Sequence, residues 1–368
     1  MTHQEDLLYD IALTMVPGFG PVTIKKTLAV FGTARNFFSQ KEKEIFSAPF
    51  VIKNHPVKGF KDQLLTLAEQ EINFCKKNGI EILTVNDKNY PQLLRETYDP
   101  PYVLYVKGNP HLNNFSKPLA IVGTRKATQY GKSSCNHTIA GLKNLTGISI
   151  ISGLALGIDT CAHKSALENE IPTIAVLGHG FAHFYPARNK NLAREIIEKG
   201  GALISEYPKD TTPDGFNFVR RNRIIAGMAL GTLVVESGIK GGSLITANLA
   251  VSYNREVMAF PGRIGDNHSE GCNMLIKHNK AALVENAEDI LRLMNWDLMQ
   301  PTTVKSQPVN LSKEEKLIVE TIEAQGKTNI NTLAKITGID LSNLSLHLLN
   351  LEMKNIIKSL PGNFYDIT

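Results

Sequence analysis

The chain has 368 residues, 42% of them apolar and 20% charged, which suits a globular protein with a large core and leaves room for two or three domains. Its 40 basic and 35 acidic side chains give a net charge of +5, too small to mark the whole surface as a polyanion binder, so any such argument rests on local clusters. The scattered cysteines (Cys75, Cys135, Cys161, Cys272) lack paired metal-ligand spacing, and neither a targeting pattern nor an apolar run of membrane-spanning length occurs. A cytoplasmic, soluble protein with reduced thiols, no metal, no cofactor and no membrane contact is expected.

Residues 1–60 predict short helices. Leu7, Ile11 and Met15 share one face, a Gly18-Phe19-Gly20 turn follows, and Ile24 and Leu28 mark a second helix. The pattern is that of a SAM-like or helix-hairpin-helix-like domain. It is either a plain packing module or a hairpin offering glycine N–H groups to a phosphate.

Residues 61–297 predict the main domain. An amphipathic helix over 61–78 carries Leu64, Leu67, Ile72 and Phe74, and Tyr102–Val106 reads as a strand. Apolar strands then recur at Leu119–Val122, Ile148–Ile151, Thr173–Leu177, Ala202–Ser205, Thr232–Val235 and Glu256–Phe260, with helix-length stretches between them. Alternation of this kind predicts an α/β fold: an extended Rossmann-like, doubly wound parallel sheet.

Residues 298–310 are polar and Pro-bearing and read as a linker. Residues 311–368 open on a Ser312 to Glu315 capping box, continue with helices over Thr328–Gly338 and Leu341–Asn355, and close on a segment that reads as a two-stranded wing, the pattern of a winged helix. Leu341, Leu344, Leu348 and Leu351 share one face of its last helix, whose only basic groups are His347 and Lys354. That is a poor phosphate surface and favours a protein-contact or regulatory role over duplex DNA binding.

Four central segments carry the chemistry. Gly123-Thr124-Arg125 leaves a strand; the glycine admits close backbone approach, Thr124 can donate, and Arg125 can clamp a phosphate bidentately. Gly153 opens a glycine-rich loop that ends at Gly157 without G-x-G-x-x-G spacing. Asp159 and His163 lie four apart beyond it, and capping or ordering of the loop by Asp159 is favoured over acid/base chemistry. Phe218 stands beside Arg220, Arg221, Asn222 and Arg223, a stacking surface next to three guanidiniums that repel one another unless anions or internal carboxylates neutralise them. Lys240-Gly241-Gly242-Ser243 leads into a helix start, a ready anion site. His179 and His183 are four apart within a Gly- and Pro-flanked segment that reads as loop, not as a metal site; Tyr185 and Arg188 follow on the rim.

Together these segments resemble the DprA/Smf family, the DNA-processing protein of natural transformation. The matching motifs are Val122–Arg125, Ser152–Asp159, Arg221–Gly227, Gly242–Thr246, Phe260–Gly262 and Glu270–Ile276, with Tyr90–Leu94 and Asp99–Pro101 upstream. The resemblance implies an extended Rossmann fold, a homodimer, sequence-independent single-stranded DNA binding, and loading of the RecA recombinase on that DNA, without enzymatic activity. For the dimer, the apolar run Met274, Leu275 and Ile276, with Leu283 beyond it, is the expected contact. The Gly241 loop is also similar to a Pro-Gly-Gly-x-Gly-Thr-x-x-Glu motif of nucleotide phosphoribohydrolases, which keeps a nucleotide-processing enzyme as the alternative. Asn248 stands where that motif has its catalytic Glu, and this departure argues against the alternative.

Overall fold

The computed structural model describes residues 3–41, 45, 60–296, 311–354, 356–360 and 363–367. The chain divides into two compact units, Met1–Gln300 and Pro301–Thr368. The predicted linker over 298–310 lies outside the described residues, as does most of 42–59.

The first unit begins with helices α1 (His3–Thr14), α2 (Pro21–Phe31) and α3 (Ala34–Ser39), followed by the long α4 (Phe60–Asn78). Pro21 sits in the first turn of α2, where its missing N–H costs nothing, and Gly18 takes a left-handed φ of 79° in the turn before it. Phe19, inside that turn, is buried with Ile11, Phe37 and Phe38. The same cluster takes in Leu64 and Ala68 of α4 and Tyr102, Val103 and Tyr105, so these helices share a core with the sheet edge.

The sheet has nine strands: β1 (Ile80–Thr84), β2 (Val103–Gly108), β3 (Lys117–Val122), β4 (Ile148–Ser152), β5 (Thr173–Leu177), β6 (Ala202–Ser205), β7 (Gly231–Val234), β8 (Glu256–Ala259) and β9 (Ala282–Leu283). Their order is β1-β2-β6-β5-β4-β3-β7-β8-β9; β6 through β9 are parallel, and β1 and β2 add an antiparallel edge. Strands β3 to β7 are buried on both faces, which explains their unbroken runs of Ile, Val, Leu and Ala. The sequence signals place β5 and β6 to the residue. β1 and β9 were not predicted: the first is half exposed and the second is two residues long.

Helix α5 (Gln92–Arg95) lies between β1 and β2; α6 (Gln129–Gly141), α7 (Ile158–Glu168), α8 (Lys190–Glu198), α9 (Gly215–Gly227), α10 (Gly242–Ser252) and α11 (Glu270–Lys277) lie between the parallel strands, and α12 (Ala287–Leu293) follows β9. One apolar layer joins β3, β4, β5 and β7 to α9 and α10, and another joins the opposite sheet face to α6, α7 and α12. From β3 the chain runs outward through β4, β5 and β6, then returns to place β7 on the other flank of β3. That reversal opens a crevice at the carboxyl ends of the strands, where ligands of doubly wound sheets bind.

The second unit comprises α13 (Lys313–Gln325), α14 (Ile330–Thr337), α15 (Leu341–Met353) and a sheet of β10 (Thr328–Asn329), β11 (Ile357–Leu360) and β12 (Phe364–Ile367), with β12 central. In chain order it is a helix, a short strand, two helices and a two-stranded hairpin. The capping box is present: Glu315 N–H donates to Ser312 Oγ (3.0 Å) and Ser312 N–H to Glu315 Oε2 (2.9 Å). Ile318, Ile322, Leu333, Leu344, Leu348 and Leu351 form its core. Leu341 is half exposed, so it leaves the shared leucine face that the sequence predicts.

Candidate nucleic-acid interface

The crevice is built from four loops. At the end of β3, Thr124 N–H donates to Glu236 O (2.8 Å), and Thr124 Oγ1 accepts from Lys126 N–H (3.2 Å). Glu236 is buried and takes both Thr128 donors at the start of α6, so it is a framework residue. Gly157 meets this loop closely. Its φ is +84° and a Cβ there would lie 2.2 Å from Thr124 O, so two phosphate-type loops touch at a point only glycine fits.

The loop after β4 is fixed from within. Asp159 Oδ2 accepts from Gly153 N–H (3.2 Å) and Ala155 N–H (3.3 Å) and faces the Arg221 guanidinium. Burial raises the Asp159 pKa against the opposing pull of Arg221. His163 turns elsewhere: its Nδ1–H donates to Thr173 Oγ1 (2.7 Å), which donates to Ile150 O (2.8 Å). Burial pushes the imidazole pKa down to about 3, so it is neutral. Asp159 and His163 therefore form no acid/base pair. The predicted loop-ordering role for Asp159 is the one its hydrogen bonds display.

Helix α9 is capped by Asp214, whose Oδ1 accepts from Phe216 N–H (2.7 Å). Its three arginines have three different surroundings. Arg221 is buried and donates to Gly153 O (2.8 Å) and to Val176 O, tying α9 to the ends of β4 and β5. Burial pushes its pKa down to about 10, with Asp159 opposing. Arg223 is buried against Glu206, with Asp99 O accepting a further bond (2.6 Å). Only Arg220 keeps a partly open guanidinium, lying against Gly20 at the start of α2. Of the two ways open for neutralising these arginines, Arg223 takes the internal carboxylate, which removes it from the predicted DNA-contact residues; Arg221 forms the floor of the cleft.

Phe218 is half-buried on the rim. Its ring stacks on Tyr185 (centroids 5.4 Å apart, planes 28° apart), and the Arg125 guanidinium lies 5.4 Å from its centroid. His179 Nε2 and the Tyr185 backbone are 3.3 Å apart, which holds the partner ring in place; His183 contacts Asp210 O instead. Arg125 and Lys240 are exposed, and Phe216, two residues before Phe218, is 71% exposed. A cavity of about 250 Å³ brings together Gly123, Thr124, Arg125, Phe218, Arg221, Asn222, Gly241, Gly242 and Ser243. A narrower recess joins Gly153 to Arg125, Phe218, Tyr185 and Arg221. Gly241 caps the start of α10, so the open N–H groups of that helix face the cavity. Ser243 Oγ is turned inward to Ser237 Oγ (2.8 Å), so its backbone N–H is the group left to a ligand.

Sequence reasoning missed the Tyr185–Phe218 stack, the Glu206 partner of Arg223 and the contact of Asp159 with Arg221. Glu206 and Asp159 are far from Arg223 and Arg221 in sequence or hidden in a loop, and no local spacing announces such pairs. Asn248 lies on the exposed side of α10, its Oδ1 accepting from Lys280 Nζ (2.9 Å) and its amide donating to Leu244 O (2.8 Å). Of the predicted dimer residues, Leu283 is 50% exposed and Met274 and Ile276 are half-buried against the core. Leu275 is corrected: at 2% exposure it is a core residue of this chain.

The family model for DNA recombination-mediator protein A matches residues 81–295, more than half of the chain and the whole of this crevice. The chain belongs to that family. Protein Smf of Escherichia coli is 36% identical over 302 residues, covering 80% of each chain. The X-ray structure of DNA processing protein A from Streptococcus pneumoniae superposes with a TM-score of 0.65 at 33% identity, covering 79% of this chain and 98% of that one. The Helicobacter pylori protein, solved for its single-stranded DNA binding mode, gives a TM-score of 0.53 at 30% identity, over 59% of this chain and 96% of that one. A recombination mediator with an α/β fold is thus established at family level. Among the described residues, no helix is long and apolar enough to cross a membrane.

Proposed function

We propose that the chain binds single-stranded DNA without regard to sequence and loads the RecA recombinase onto it, acting in the cytoplasm as a homodimer and without enzymatic activity of its own. The observation that carries the reading is the cluster of Tyr185, Phe218 and Arg125 at the mouth of the cleft, in which Tyr185 is 44% exposed. A π-face stacks on any base, a guanidinium grips any phosphate, and neither reads sequence. The open N–H groups of Gly242 and Ser243 at the start of α10, with the backbone at Gly123, add donors for the same phosphates. Asn248 supports the absence of hydrolysis: it stands where related hydrolases carry Glu, and its amide is engaged by Lys280. We assign residues 1–60, 61–297 and 311–368 as the three domains, with strand binding in the second, and the exposed Leu283 with the edges of Met274 and Ile276 as the dimer contact.

A salt-titrated anisotropy measurement with oligothymidylate tests the reading. Single strands are expected to bind tighter than blunt duplex at matched salt, with affinity falling as salt rises. Equal or tighter duplex binding overturns it. RecA filament formation on strands covered by a single-strand-binding protein, with and without this protein, tests loading. Sedimentation at tens of micromolar tests the dimer.

A further inference from the structure

Behind Arg125 lies a second concavity that the stack does not use. It holds about 570 Å³ between α6, α7 and the turn before α8, and is lined by Arg125, Lys126, Lys132, Lys164 and Arg188. All five are exposed, and among the described residues none is in an ion pair. Glu168 is the single acid on its wall. Like charges gathered round one hollow repel each other and raise the local concentration of anions. Glu168 alone among the lining residues offsets them.

We propose that this basin is a second backbone subsite, so that a bound strand leaves the Phe218 ring, passes Arg125 and Leu156, and continues over Lys132 and Lys164. The inference rests on the strand-binding reading and adds its path. Contiguity is direct: Arg125 lines both cavities of the cleft and the basin, and Leu156 lines the basin and the recess at Tyr185. Charge decides the direction. Past the start of α10 the strand would meet Lys240, whereas past Arg125 it meets four more cations. Each phosphate neutralised releases counterions, so the basic exit wins.

The basin carries its own reporter. Cys161 lies on its wall, 3.0 Å from Asn136 Oδ1 and 3.6 Å from Lys132 O. Its thiol pKa is lowered first by the neighbouring Cys135 thiol and then by Lys132 and Lys164, with burial and Glu168 opposing. Cys75, Cys135 and Cys272 are buried, so alkylation of the folded chain reads Cys161.

The test uses oligothymidylates of about 4 and about 16 nucleotides, the span of typical single-strand sites. In the double variant Lys132→Ala/Lys164→Ala, the short strand is expected to keep its affinity. The long strand is expected to lose about tenfold, and its log affinity against log salt slope to shrink by about 1.4, two contacts at about 0.7 each. In the unmodified protein the long strand is expected to slow iodoacetamide labelling of Cys161 and the short strand to leave it unchanged. Full affinity and slope of the double variant for the long strand, or labelling indifferent to it, overturns the path while short-strand binding stands. Failure of both lengths to bind overturns the strand-binding reading and the path with it.

Discussion

Two basic regions border the same cleft and spend their charge differently. On the β3–α6 loop, Arg125 is exposed, lies against the Phe218 ring and is in no ion pair among the described residues. On α9, Arg221 and Arg223 are buried and saturated by carbonyls and carboxylates of the chain itself. Density of arginine along a sequence therefore says little about charge offered to a ligand. What decides is whether buried acceptors elsewhere in the fold claim it first, because a desolvated carboxylate outbids a solvated phosphate for a nearby guanidinium.

The comparison breaks most sharply at Arg223. Arg223→Ala leaves Glu206 buried without its partner, and the expected loss is about 3–5 kcal/mol of stability by denaturant unfolding. A well-folded variant with selectively weaker DNA binding would move Arg223 to the ligand side. Arg125→Ala gives the converse. Affinity for single strands is expected to fall by about 1.5–3 kcal/mol, the range for a charge-assisted contact, with an unchanged unfolding midpoint. Its salt slope is expected to shrink by about 0.7, and Arg125→Lys to restore only part of the loss, since a point charge cannot reproduce a bidentate fork.

The buried side also has a pH signature. His163 is neutral when folded, its pKa lowered to about 3 from 6.5. Below pH 6.5 the unfolded chain takes up a proton that the folded chain refuses. Stability is therefore full above pH 6.5 and falls toward pH 3, by about 1.4 kcal/mol per pH unit for this one site. His163→Gln is expected to remove that slope, and the difference between the two curves isolates it from the carboxylates. The smallest effect is expected for a chain ending at Pro308. Residues 311–368 hold six lysines against seven carboxylates, and Lys354, the one lysine of the last predicted helix, is paired with Glu315 (2.8 Å), so the unit adds little electrostatic attraction for a strand. Loss of strand affinity below tenfold, about 1.4 kcal/mol, is expected by anisotropy.

The sheet was legible because a strand buried on both faces must be apolar throughout and must end where the chain can turn; Thr173–Leu177 and Ala202–Ser205 meet both conditions. The loops of the cleft were legible for a similar local reason, since glycine at 123, 153 and 157 marks close backbone approach. The pairing of side chains was not. Glu206 meets Arg223, and Tyr185 meets Phe218, only after β5, β6 and α9 are laid side by side. Leu275 shows the same limit: an apolar run of three places one side chain inward and two at the margin, and helix phase against the sheet decides which.

The cleft is assembled from segments at 123–125, 153–159, 215–222 and 241–246, which meet only when the parallel sheet is complete. An unfolded chain has no fragment of it to offer. A ligand held there is thus bound by the native state alone, and it acts as a thermodynamic brace for strands it never touches. At a free strand concentration of about 100 times Kd, the added resistance to unfolding is about 2.7 kcal/mol. The melting temperature of the protein becomes a gauge of how much strand surrounds it.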